Sequence, residues 1–328
     1  MTTRRDAILN GAARAAEIHS DLGLREDLRD GYRPVDILAA IHDLDLLVLF
    51  RPLQSLLGAY LPSLGAAPGI LLTTQRTLHI QRFTAAHELG HHVLGHRAMS
   101  LDKDVGFVAR GEHLGHDMQE LEADAFASAF MLPDWLLVAH ARRHGWGKKD
   151  LLVPDTVYQL SLRMGASYTA TCWSLVQANL ITDGDARLLA SKPPKDSKQR
   201  AIPDIKLSSW HPDVWKLSER DRGVEVLGNP DDMLVFALEE NIAGGYAWDA
   251  STVEAVGLTI EKDERRETEA EIMGGPITRR LVAQGRAKGH LRLEEKRNWD
   301  DEGSSLNTFE VDLSMLGPET AGLPRVAR

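Results

Sequence analysis

The stretch RFTAAHELGHHVLGH, residues 82–96, decides how this chain is read. Its apolar and small residues recur at helical spacing, which puts His87 and His91 on one helix face about 6 Å apart along the axis. Both imidazoles can then turn a nitrogen toward one ion. Phe83, Gly90 and Leu94 share that face, so it is expected to be buried, and the glycine lets another chain segment approach closely. Glu88 cannot share the direction of His87 and suits a proton acceptor beside the ion better than a ligand. Two histidines and a glutamate at this spacing combine a zinc Lewis acid with a general base, the chemistry of peptide-bond hydrolysis. The plainer alternative is an amphipathic helix carrying two core histidines.

A catalytic zinc takes three protein ligands and keeps one position open, so a third ligand has to come from elsewhere. The helical text MQELEADAFASAFMLP, residues 118–133, offers one. Glu120 and Asp124 lie one turn apart, and Ala123 and Ala127 form a small-residue stripe that lets this helix pack against the first. Glu122 is rotated about 200° from Glu120. The expected ligands are therefore His87, His91 and Glu120, with Glu122 as the alternative, and Asp124 is expected to orient a ligand histidine. His92 reads as a surface or packing residue. His96, His113 and His116 read as solvated histidines at the helix end or in the following polar loop.

The 328 residues exceed what a single core usually organises, so two or three domains are expected. Hydrophobic residues at 43% and charged residues at 26% exclude a wholly disordered chain. No run of about 18 apolar residues and no leader-like N-terminus occurs, so neither a membrane span nor secretion is expected. The only cysteine, Cys172, sits in the helical text TATCWSLV, which fits a reducing, cytoplasmic setting. A net charge of −10 and a pI near 5.7 argue against a nucleic-acid partner.

Helical periods at Asp6–Leu22 and Pro34–Leu44, with proline placed in the first turn of the second, precede short strands at 46–50, 58–62 and 69–74. Helices then follow at about 81–96, 118–131, 133–144, 154–164, 167–180 and 183–190. The text SKPPKDSKQRAIPD, from Ser191 to Asp204, loses its period and reads as an exposed connection. Beyond it the period becomes two: Leu234, Phe236 and Leu238 alternate with their neighbours, as do Leu291 and Leu293, and Phe309, Val311 and Leu313. The fold class is α+β followed by an all-β domain. The expected division is 1–148, a helical module at 149–192, a connection at 193–204, the β domain at 205–316 and a frayed tail at 317–328. The charged run Glu261–Glu271 reads as a solvated sheet edge.

From about Pro34 to Pro133 the text resembles the ImmA/IrrE family of metallopeptidases, through RFTAAHELGHHVLGH and then Glu120, Ala123, Asp124, Phe126 and Ala127 before a Met-Leu-Pro stop. The resemblance implies a thermolysin-like minimal zincin binding Zn2+. It also implies cleavage of a specific protein, such as a Cro-like transcriptional repressor in a stress response. The helices at 154–180 are similar to the helix-turn-helix-like module of IrrE-like proteins. Few Lys or Arg lie there, so a bundle buttressing the peptidase is favoured over DNA binding.

The β domain resembles chagasin-like inhibitors of papain-type cysteine peptidases, an immunoglobulin-like sandwich presenting three loops. LEENIAGGYAW (238–248) stands for the first, Met273-Gly274-Gly275 for the second and Arg297-Asn298-Trp299 for the third. Ile242, Ala243 and Gly244 depart from the Pro-Thr-Thr of the family's first loop, and Asn298 from the proline of its third. The expected partner contacts are Asn241, Gly245, Tyr246, Trp248, Gly274, Gly275, Arg297 and Trp299. Two functions from different classes follow. One is a zinc endopeptidase whose β domain binds a partner; the other is a cysteine-peptidase inhibitor in which the zinc site is structural or regulatory.

Overall fold

A computed structural model of the chain describes residues 3–64, 67–96, 118–207, 209–267, 277–297, 299 and 304–320. His113, His116, Gly274, Gly275 and Asn298 lie outside the described residues. The periodic text of the N-terminal half forms α1 (Arg4–Asp21), α2 (Leu24–Asp27) and α3 (Ile37–Asp43), then β1 (Leu47–Arg51), β2 (Gly58–Leu64) and β3 (Ala67–Thr73). Helices α4 (Leu78–Val93), α5 (Met118–Met131), α6 (Asp134–His144), α7 (Pro154–Met164), α8 (Tyr168–Gln177), α9 (Asp183–Ala190) and α10 (Pro194–Ala201) follow. The three strands form one sheet in the order β1-β3-β2, with β1 parallel and β2 antiparallel to β3. Ile70 and Leu72 of β3 are buried with Leu89 of α4 and Phe126 and Phe130 of α5 in a single core.

Two starting points differ from the sequence expectation. The helix near Pro34 begins at Ile37, because the Asp36 carboxylate accepts from the backbone N–H groups of Leu38 at 3.1 Å and Ala39 at 3.2 Å. That cap fixes the first turn, and the proline lies before it. The supposed exposed connection at 193–204 contains α10, with Pro194 in its first turn, where the missing N–H costs nothing. Lys195 is exposed, but Lys198 is buried and donates to the carbonyls of Trp210 and Pro212, both at 2.9 Å.

The second half is a sandwich. Strands β4 (Val214–Leu217), β5 (Val224–Gly228), β6 (Met233–Glu240) and β7 (Ala247–Trp248) precede the short helix α11 (Ser251–Ala255). Strands β8 (Thr259–Glu267), β9 (Ile277–Gln284), β10 (Lys288–Lys296) and β11 (Asn307–Met315) complete it. The sheets run β5-β11-β10-β7 and β4-β6-β9-β8, so the charged β8 is an edge strand. The alternating residues Leu234, Phe236 and Leu238 of one sheet meet Leu291, Leu293, Phe309 and Val311 of the other in one buried cluster, where the Phe236 and Phe309 rings pack edge-on 6.0 Å apart. Among the described residues no helix is long and apolar enough to cross a membrane.

The two halves are joined by buried polar contacts. Arg163 of α7 lies 2% exposed, and its Nη2 donates to Asp221 at 2.6 Å while the His144 ring of α6 meets the same carboxylate at 2.9 Å. Burial alone would raise the Asp221 carboxyl, but the Arg163 charge and the His144 contact outweigh it and hold it well below the usual carboxylate range. Tyr158 donates to Asp213 at 2.9 Å, and Gln159 to the carbonyl of Val214 at 2.8 Å. After β11 the chain returns to α4. There Glu319 N–H donates to Gln81 Oε1 at 2.7 Å and Gln81 Nε2 donates back to the Glu319 carbonyl at 3.1 Å. The tail is therefore anchored at Glu319, although it reads as frayed, and 321–328 lie outside the described residues.

Helix α8, which a DNA-reading module would present outward, is packed inward at Tyr168, Ala170, Thr171, Cys172, Ser174 and Leu175 and carries no Lys or Arg. Close by, His140 of α6 is wholly buried, and burial together with the nearby Arg163 charge pushes its imidazole down to about 3. Unfolded histidine takes a proton near pH 6.5, whereas folded His140 does not until about 3. Its contribution is thus intact above about pH 6.5 and lost as the pH falls toward 3. Urea midpoints measured from pH 7.5 to 4.5 should fall less steeply in His140→Leu than in the wild type.

Candidate metal centre

Helix α4 carries both histidines because its apolar side beds on the sheet and on α3, leaving the His87 and His91 face to α5. Glycine sets how near α5 comes. A Cβ on Gly90 would stand 3.2 Å from Ala123 Cα and 3.1 Å from Phe126 Cδ1, tighter than an ordinary contact. On its other side α5 is pressed by α1, where a Cβ on Gly11 would stand 2.2 Å from the Glu122 carbonyl oxygen. Ala123 and Ala127 are wholly buried, as the small-residue stripe requires.

This packing converges three side chains. His87 Nε2 lies 3.0 Å from His91 Nε2 and 3.2 Å from Glu120 Oε2, and His91 Nε2 lies 3.6 Å from the same oxygen. Two imidazole nitrogens and one carboxylate oxygen, all within 4.8 Å of one another, are the donor set and spacing that zinc takes. Behind them, His87 Nδ1–H donates to Asp124 Oδ1 at 2.9 Å, so Nε2 is the nitrogen turned to the cluster. Burial opposes a charge on His87, but its hydrogen bonds to Asp124 and Glu120 outweigh it and hold the imidazole well above its ordinary value. The pocket favours positive charge. Glu88 is wholly buried beside His87 and adds negative potential to it.

Glu122, the alternative ligand, turns away and accepts from His96 Nε2 at 3.0 Å and from Asn10 at 3.3 Å. His96, expected to be solvated, is buried, with its Nδ1 2.9 Å from His91 Nδ1. Gly95 causes the difference: at φ 71° it reverses the chain after α4 and folds His96 back beneath His91. The signal lay in Gly95-His96 directly after a helix end, but its partner Glu122 is visible only in three dimensions. His92 is a packing residue, its Nδ1 3.0 Å from Tyr60 Oη. One turn before His87, Phe83 and Thr84 line a mostly apolar cavity of about 210 Å³ with Met131, Leu132, Ala166 and Ala170.

On the sandwich, the structure brings together part of the expected loop surface. Gly245 is left-handed at φ 78° beneath the Trp299 indole, and Asn241 Oδ1 accepts from Gly244 N–H at 3.1 Å. Arg297 donates to the Gly244 carbonyl at 3.1 Å with its guanidinium 4.6 Å over the Tyr246 ring. Trp299 is 73% exposed. Trp248 does not join this surface: it is buried in the sandwich core, its Nε1–H donating to the Glu239 carbonyl at 2.8 Å.

The helices and the sandwich correspond to two protein classes, a peptidase-type domain and a peptidase-inhibitor-type domain. Residues 41–175 match the IrrE N-terminal-like domain of peptidase M78, and residues 229–313 match the chagasin family peptidase inhibitor I42. The chain thus carries an IrrE N-terminal-like domain, which includes His87, Glu88, His91, Glu120 and Asp124, followed by a chagasin-family domain. Among solved structures, the cysteine protease inhibitor EhICP2 from Entamoeba histolytica is 16% identical, with 32% of this chain and 98% of that one covered and a TM-score of 0.27. Amebosin is 20% identical, with 31% and 97% covered and a TM-score of 0.25. No curated protein matches the chain.

Gly11→Ala tests the packing that brings Glu120 into place. In an exposed helix interior this change stabilises by about 1 kcal/mol. Against the Glu122 carbonyl it is instead expected to destabilise by about 1–3 kcal/mol, read from chemical denaturation.

Proposed function

We propose that the chain is a zinc-dependent endopeptidase that cleaves a protein substrate, with a β domain that binds a second protein. The observation that carries this reading is the convergence of His87, His91 and Glu120 next to Glu88. When bound, zinc supplies Lewis acidity that polarises a peptide carbonyl and acidifies water. His87, His91 and Glu120 hold it, and Asp124 keeps His87 in the tautomer that offers Nε2. Glu88 takes a proton from the attacking water as its oxygen bonds to the carbonyl carbon, then delivers a proton to the leaving amine as the C–N bond breaks. The apolar cavity at Phe83 and Thr84, about one helical turn or 5 Å along α4 from His87, receives an apolar substrate side chain.

Glu88→Gln should bind zinc as the wild type does and lose proteolysis by at least about 100-fold, the usual contribution of a general base. Metal content and cleavage of an unfolded protein or peptide library measure the two. Undiminished cleavage by that variant removes Glu88 from the chemistry.

A second reading is favoured by the chagasin-family match and by the loop cluster of Tyr246 and Arg297 beside the exposed Trp299. In it the β domain inhibits a papain-type cysteine peptidase. The full chain carrying Glu88→Gln, titrated against papain, should inhibit it and should lose that effect in Trp299→Ala. No inhibition at high micromolar protein ends this reading without touching the first.

A further inference from the structure

Within the metallopeptidase reading proposed above, we infer that His96 and Glu122 form a second positioning chain, which fixes the tautomer of His91 as Asp124 fixes that of His87. The inference rests on hydrogen-bond direction. An ionised carboxylate only accepts, so the Glu122 contact at 3.0 Å requires the proton on His96 Nε2. Neutral His96 then has a lone pair on Nδ1, which faces His91 Nδ1 at 2.9 Å. Only a proton on His91 Nδ1 makes that contact a hydrogen bond. His91 Nε2 is left bare, and it is this atom that stands 3.0 Å from His87 Nε2 in the ligand cluster.

Three elements assemble the chain. Gly95 turns the end of α4 back, so that His96 N–H donates to the His91 carbonyl at 3.0 Å and the two rings pack edge-on. Helix α5 presents Glu122 on the side opposite Glu120, and Asn10 of α1 holds the other Glu122 oxygen at 3.3 Å. Glu120 and Glu122, two residues apart, thus serve the same imidazole from opposite ends. One faces its Nε2 within the cluster and the other acts through His96 on its Nδ1. His96 and Glu122 are positioning residues, touching neither substrate nor metal.

The test compares zinc affinity, by competition with a chromophoric chelator, for the full-length wild type, His96→Leu, His96→Asn and Glu122→Ala. Thermal unfolding of each zinc-free protein serves as the folding control. Loss of an outer hydrogen-bond partner weakens metal binding by about 10–100-fold, the fall expected of His96→Leu. In His96→Asn the amide oxygen takes the place of Nδ1 as acceptor, so most of that loss should be recovered. Glu122→Ala, at a partly exposed side chain, should weaken binding in the same direction and keeps the test open if His96→Leu does not fold. Nitrogen-15 NMR of the histidines should show His91 as its Nδ1–H tautomer in the wild type and as a mixture in His96→Leu. Wild-type affinity in both His96→Leu and Glu122→Ala overturns the inference, as does His96→Asn binding as weakly as His96→Leu. A wild type that binds no zinc sinks the metallopeptidase reading, and this inference with it.

Discussion

The centre depends on how closely α5 can approach α4. Glu120 reaches two histidines on another helix only because Gly90 faces Ala123 with no Cβ between the backbones, and Gly11 of α1 presses α5 from behind with equal economy of atoms. Helices carrying ordinary side chains at those points would stand about 8–10 Å apart at their axes, toward the upper end for bulky residues. A Cβ at Gly90 would press on Ala123 and Phe126 and move α5, with Glu120, away from the histidines. Side chains that bear no chemistry therefore set the distance at which the chemistry-bearing ones meet.

Electrostatics follows from that packing. Asp124, Glu120 and Glu88 surround the buried His87, and their hydrogen bonds and charges are why its imidazole is held above its ordinary value despite burial. At the junction with the sandwich the balance is struck the other way round, with a buried carboxylate kept ionised by a buried guanidinium. Breaking such a pair on one side leaves an isolated charge in a poorly polarisable setting, which costs far more than the pair contributes. The sandwich meets α6 and α7 through this pair, and Tyr246, Arg297 and Trp299 come together in a separate loop cluster.

Much of this was legible in the residues. Four-residue spacing placed His87 and His91 together, a 200° rotation separated Glu120 from Glu122, and two-residue alternation picked out Leu234, Phe236 and Leu238 as core. What escaped had partners distant in sequence. His96 looked solvated because its environment depends on a left-handed Gly95 and on Glu122, 26 residues away. The text from Ser191 to Asp204 looked exposed because it loses its period, yet it holds α10, whose Lys198 ammonium meets two carbonyls of the chain that follows. Trp248 looked like a loop anchor because its neighbours are, whereas its indole packs in the sandwich core with its N–H on the Glu239 carbonyl.

The clasp between Gln81 and Glu319 means that the polypeptide, after completing the sandwich, comes back to the first turn of the helix that bears the histidines. Gln81 is 3% exposed and also donates to the Thr73 carbonyl at the end of β3 at 2.7 Å. The sandwich is thus an inserted loop in the mechanical sense, tethered to the helical half where it departs and again where it ends. Cutting it away would leave the Gln81 amide oxygen without the Glu319 N–H, so the two halves share a foundation and are not interchangeable attachments.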